Sequence, residues 1–328
     1  MNRALLPILF VLLIVLAGAG LLGGASPIRV GEGVAALRGT GDPLVRLILI
    51  ELRLPRVVLG ILVGGILGLS GAVLQGLLRN PLAEPGLLGV SSGASFGAVM
   101  ALYYGLAGSM ALAVPLAGIA GGLVTAAGAL MLARGGGTLA LILAGAAIAS
   151  LAAAGVSLAL NLAPSPYAAY EIMTWLLGSL ADRSWSHVLL AGPFVLAGAA
   201  ALFATGGALD ALTLGEDTAE SLGVDVARTR LLALVGTALG VGAATAVTGA
   251  IGFVGLIAPH LVRPAAGHRP GRILLPATIA GAVLVLAADL AVRLIRLDGP
   301  ELRLGVLVSL VGAPFFLWLV LHMRSRAE

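Results

Sequence analysis

Residues 53–97 read RLPRVVLGILVGGILGLSGAVLQGLLRNPLAEPGLLGVSSGASFG. Two apolar runs flank a short polar break, Arg79-Asn80-Pro81-Leu82-Ala83-Glu84-Pro85-Gly86, and Arg53 and Arg56 stand just before the first run. In a bilayer core no water meets exposed peptide groups, so each run must close its own backbone hydrogen bonds as a helix. Pro81, Pro85 and Gly86 stop one helix and start the next.

The rest of the chain has the same character. Of 328 residues, 59% are hydrophobic and 10% charged, with a mean hydropathy of +1.10. Soluble domains carry roughly 25% charge. The expected fold class is an all-α integral membrane protein, a polytopic bundle of about ten transmembrane helices. With no long polar linker, 1–328 reads as one domain. The 48 glycines predict closely packed helices, because small residues let membrane helices approach.

Hydrophobic runs place the spans at 4–23, 57–78, 88–108, 110–133, 139–162, 187–207, 229–250, 252–265, 273–296 and 302–323. The eighth is short and contains Pro259, which predicts a broken or partial span. The first has a basic start like a signal peptide, but its apolar run exceeds the 7–15 residues of a signal core. It reads as an uncleaved first helix. Between spans five and six, 167–179 reads as a short interfacial helix, with Tyr167, Tyr170 and Trp175 at the depth aromatic rings favour. Two segments, 71–82 and 249–260, share a faint Gly-Ala…Pro pattern that reads as a helix running into a break.

Composition also excludes chemistry. There is no cysteine, so disulfides and thiolate sites are absent. All 19 basic residues are arginine; a phosphate loop ends in G-K-[ST], so this chain cannot carry one. If ATP drives the process, another subunit hydrolyses it. The arginines are scattered, which gives no basic run for nucleic acid. With the N-terminus inside, ten arginines fall inside and nine outside, so the positive-inside rule does not decide orientation.

The most polar internal segment, 208–230, carries Asp210, Glu216, Asp217, Glu220 and Asp225. It is too polar to cross. Leu214, Ala219 and Leu222 fit one face of a short docking helix, punctuated by Gly215 and Gly223.

Several ordered motifs carry a family resemblance: R-L-P-R at 53–56, N-P-L-A-E-P-G-L-L-G at 80–89, L-A-G at 143–145, and L-G-E-x-x-A-x-x-L-G at 214–223. Others are G-A-I-G-F-V-G-L-I-A-P-H-L-V-R at 249–263, L-L-P at 274–276, A-D at 288–289 and the end at 301–316. On these the chain resembles the permease subunits of bacterial ABC importers for iron–siderophores, haem and vitamin B12 (FecCD/BtuC-like), over nearly its whole length. Arg303 departs from the family's commoner E-L-P, and the loop around His268 looks shortened.

The resemblance implies N-in, C-in topology in the bacterial cytoplasmic (inner) membrane and a second permease subunit, as a homodimer. It also implies two cytoplasmic ATPase subunits, which would hold ATP and Mg, and a periplasmic or lipoprotein binding protein. No cofactor belongs to this chain itself, and it is not an enzyme. The cargo would be a metal chelate, a ferric siderophore before haem or cobalamin.

The family places docking arginines for the binding protein at Arg53, Arg56 and Arg293, with Arg296 equally placed. An arginine fork holds a carboxylate at two points; snorkelling at helix ends is the simpler role. Leu214, Gly215, Glu216, Ala219, Glu220, Leu222 and Gly223 match the family's ATPase-coupling helix. Thr138 and Leu139 match its cytoplasmic gate, with helix capping as the alternative role for Thr138.

His260, His268 and His322 lack the spacing of a metal site and read as structural or solvated. Asp289 is an acid inside an apolar span, and Arg293 one turn away is its expected partner. An ion-coupled secondary transporter is the competing function, with Asp289 as its only intramembrane acid. No H-E-x-x-H or G-x-S-x-G supports an intramembrane enzyme.

Overall fold

The computed structural model describes residues 4–24, 27–110, 112–134, 136–267, 269–295 and 301–324. The expected runs are helices, joined by a short α2 that the sequence did not mark: α1 (Leu5–Leu22), α2 (Val30–Leu37), α3 (Leu54–Leu77), α4 (Val90–Tyr103), α5 (Ala113–Leu132), α6 (Gly137–Asn161) and α7 (Pro166–Leu176). They continue with α8 (Trp185–Phe203), α9 (Gly206–Leu212), α10 (Glu216–Ser221), α11 (Val226–Thr248), α12 (Val254–Ala266), α13 (Pro270–Leu294) and α14 (Leu304–Arg324). Among the described residues, eight helices are long and apolar enough to cross a membrane.

The other two expected spans are shorter. The run 88–108 narrows to α4, with 14 residues, and α12 has 13. At 1.5 Å per residue each is about 20 Å long, against a hydrocarbon core of about 30 Å. Each starts from a left-handed residue, Gly89 (φ 77°) before α4 and Phe253 (φ 63°) before α12. The Glu84 carboxylate accepts the backbone N–H of Phe253, so the first polar break supports the start of α12. Gln75 lies between α3 and α12: its amide donates to the carbonyls of Gly255 (3.4 Å) and Leu256 (3.5 Å), and it accepts from Arg263 at 2.5 Å.

This geometry corrects the faint repeat. In 71–82 a helix runs into a break; in 249–260 the break comes first and the helix follows. The two segments instead pack on each other, and a Cβ at Gly71 would collide with the carbonyl of Gly255. The same close approach joins α3 to α13, where Gly64 faces Gly281. These glycines let two backbones touch, which is how a bundle without a hydrophobic driving force between helices gains its packing.

The buried share of each span orders the bundle. It is 83% for the span ending in α3 and 78% for α11, so these form the centre. It is 11% for α1, which lies at the periphery against α13. The sequence assigns nothing between 24 and 52. There Ile28, Ala36 and Leu49 form a small core of their own. One wide π-turn, Ile48–Arg53, leads into α3, and the Trp185 indole donates to the Ile50 carbonyl at 2.9 Å. The expected short helix at 167–179 is α7, started by Ser165, whose hydroxyl accepts the Ala168 N–H. Its Ile172 is buried, while Tyr167 and Tyr170 are exposed.

Helix α13 ties the two ends of the molecule together. Near its start the Gly271 N–H donates to Asp210 at 2.8 Å, beside the polar segment. Near its end stands Arg293. With 25 residues, α13 keeps these two regions about 35 Å apart.

Candidate functional site

At the Arg293 end, three arginines converge on two carboxylates and on the end of α1. Asp289, 1% exposed, accepts from Arg56 Nε at 2.9 Å on one oxygen and from Arg293 Nε at 2.9 Å on the other. Arg56 also donates to Glu301 at 2.5 Å. Arg293 reaches the Gly20 carbonyl at 2.8 Å, and Arg53 reaches those of Leu21 and Leu22, both at 2.9 Å. A helix leaves its last carbonyls unpaired and carries partial negative charge there, so arginines are suitable partners. The expected Asp289–Arg293 pair is present. Arg56 as its second partner, 233 residues away, had no sequence signal.

The three arginines expected to dock a binding protein therefore bind within the chain. Arg53 is 9% exposed, and the side chains of Arg56 and Arg293 are 15% and 8% exposed. Arg296 lies outside the described residues.

At the other end, α9 and α10 fold the polar segment into two short helices. Gly215 (φ 104°) and Gly223 (φ 85°) take left-sided backbone angles that only glycine adopts readily, and they bracket α10. The expected single apolar face divides in two. Ala219 is fully buried, whereas Leu214 and Leu222 are each 63% exposed. Glu220 is exposed, but Glu216 turns inward. Its carboxylate accepts from Arg230 Nη2 at 2.7 and 2.8 Å and from the Thr138 hydroxyl at 2.9 Å. Burial raises the Glu216 pKa; the hydrogen bonds from Arg230 and Thr138, with the charges of Arg230 and Arg79, outweigh that and hold it below the ordinary carboxylate value.

Thr138 thus does not cap α6. The cap position is Gly136, and the hydroxyl points to Glu216. Leu139 beside it is 68% exposed. Sequence reasoning placed Thr138 and Glu216 in separate devices, and the fold joins them. Arg230 was missed, since nothing in its spacing from Glu216 marks a partner.

His260 and His322 lie in a ring cluster with Phe315 and Trp318. The Trp318 and His322 rings stack at 5.3 Å, and His260 meets Phe315 edge-on at 5.6 Å. His268 lies outside the described residues.

A bundle of membrane-length helices with two shorter helices packed within it, and a helical polar segment at one end, is the architecture of a membrane permease. The FecCD transport family matches residues 9–322, and the chain belongs to that family. It is 38% identical to the hemin transport system permease protein HmuU of Yersinia pestis, over 99% of this chain and 97% of that protein. It is 40% identical to the ferric enterobactin transport system permease protein FepD of Escherichia coli, over 96% and 94%. A solved structure described as an inward-facing conformation of an ABC transporter of metal-chelate type superposes with a TM-score of 0.88. That comparison has 32% identity and covers 98% of this chain and 99% of the other.

Proposed function

We propose that this chain is the transmembrane permease subunit of a binding-protein-dependent ABC importer in the bacterial inner membrane. Its cargo is a metal chelate, a ferric siderophore before haem or cobalamin. The observation that carries this is the family match over residues 9–322, together with the two exposed leucines that flank α10. Two copies enclose the path. Two ATPase subunits, which hold ATP and Mg, seat on α10, and Thr138 and Leu139 close the path on that side.

The binding protein docks at the opposite end. Three arginines against two carboxylates leave that cluster with one positive charge in excess, and nearby Arg183 lies between the charges of Asp182 and Arg303. Rim charges act mainly on association rate and orientation. Association of the cognate binding protein is therefore expected to slow with rising salt, and Arg56→Gln is expected to flatten that slope. Identical slopes would remove Arg56 from docking.

A secondary transporter is less well supported. Asp289, its only candidate coupling acid, already holds two arginines. The deciding experiment is reconstitution. The purified chain alone is expected to hydrolyse no ATP; with its cognate ATPase and binding protein in proteoliposomes, ATP-dependent uptake of the chelate is expected. Uptake driven by an ion gradient without ATPase would overturn the proposal. The cargo follows from the affinity of the binding protein for each chelate.

A further inference from the structure

Glu216 touches two helices of unlike character. Arg230 belongs to α11, a central helix with 78% of its span buried. Thr138 belongs to α6, a peripheral helix with 22% buried. The Thr138–Glu216 bond crosses 78 residues of sequence and is the only hydrogen bond or ion pair between side chains that joins α6 to α10 among the described residues. Thr138 is free to make it because the cap position of α6 is Gly136, which has no side chain, and Thr138 follows Gly137 (φ 65°), the first residue of the helix. Arg230 contacts both Glu216 oxygens, which fixes the plane of the carboxylate and aims Oε1 at Thr138.

From this geometry we infer that Glu216 and Arg230 are positioning residues that link α10 to the Thr138 end of α6. A displacement of α10 is thereby passed to the helix that carries Thr138 and Leu139. The inference rests on the proposed function, in which α10 receives the ATPase and those two residues close the path. The three groups have separate tasks. Arg230, partly exposed near the start of α11, orients the carboxylate. Glu216 moves with α10. Thr138 transfers that motion to α6, which also packs on α4, on α5 and on the turn at 85–88. A hydrogen bond to a charged partner is shorter and stronger than a neutral one, so it suits a link that must carry load. The exposed Glu220 on the same short helix holds no arginine or hydroxyl among the described residues, so charge on α10 is not by itself sufficient for the link.

The test uses the full importer in proteoliposomes, with substrate molecules moved per ATP hydrolysed as the readout. Thr138→Val removes the hydroxyl and keeps the shape. It is expected to lower that ratio about tenfold while ATPase affinity stays within twofold, and Thr138→Ser is expected to restore it. Arg230→Gln is expected to lower the ratio similarly. The Thr138→Val/Arg230→Gln pair should be no worse than either alone, because both break one link. The chain has no native cysteine, so spin labels on cysteines at Asp217 and Ala140 report directly on α10 and α6. On ATP binding their separation is expected to stay constant in wild type and to change in Thr138→Val.

An unchanged ratio in Thr138→Val would overturn the inference, as would additive losses in the double variant or a wild-type separation that changes with ATP. A loss of ATPase affinity in Thr138→Val would overturn it too, by making the bond part of assembly. Should Arg230→Gln fail to fold, Thr138→Val still decides. These results leave the importer reading intact as long as wild type shows ATP-driven uptake. Absence of that uptake in wild type would overturn both.

Discussion

Replacing Asp289 with alanine is expected to destabilise the protein by about 3–5 kcal/mol, the usual cost of removing one partner from a buried ionic group. Its carboxylate holds Arg56 and Arg293 at once, and both guanidinium groups remain largely buried when it is gone. Arg293 and Arg53 also bind the last carbonyls of α1, so disorder there would loosen α1 from α13. Asp289→Asn is expected to lose nearly as much, since an amide cannot offset two cations. Glu301→Gln is the internal control. Its side chain is 35% exposed, and pairs near water contribute only about 0–1 kcal/mol. Thermal unfolding midpoints in detergent check this. Equal shifts for Asp289→Ala and Glu301→Gln would show that burial does not set the energy of the cluster. The same variant separates the two functional readings. In a proton-coupled transporter Asp289→Asn would uncouple a folded protein, whereas here the first effect is on folding.

Leu214→Asp combined with Leu222→Asp is expected to abolish stable association with the ATPase and leave folding of the permease unchanged. Both side chains are 63% exposed and flank α10, while Ala219 between them faces the core. Full burial of a leucine contributes about 1.5–3 kcal/mol. Losing two such anchors at the centre of an interface therefore weakens association by more than about a hundredfold. Glu220→Ala, an exposed charge beside them, is expected to change little. Affinity of the purified ATPase for wild-type and variant permease in detergent checks this, with the unfolding midpoint as the control for folding. Wild-type affinity in the double variant would place the ATPase contact elsewhere.

The sequence by itself determined the membrane-length helices. The first polar break at 79–86 ends α3 at Leu77 and precedes α4 at Val90, and Pro259 marks a short α12. These follow from one constraint: backbone in lipid must satisfy itself, so apolar length and Pro/Gly breaks suffice. The family was also legible, because long motifs such as 80–89 and 249–263 keep their order along the chain. The Asp289–Arg293 pair was legible because i and i+4 are neighbours on any helix.

Only the tertiary structure decided how the helices are rotated and which distant groups meet. It turned Ala219 inward and Leu214 and Leu222 outward. It brought Arg56 to Asp289, and Thr138 and Arg230 to Glu216. It set Gly71 against Gly255 and so packed the two half-similar segments on one another. The physical reason is that most of these helices are apolar on every side, so periodicity names no inward face. Contacts between them depend on helix rotation and relative depth, and those are set by close packing of glycine surfaces and by a few buried polar bonds that only the assembled bundle brings together.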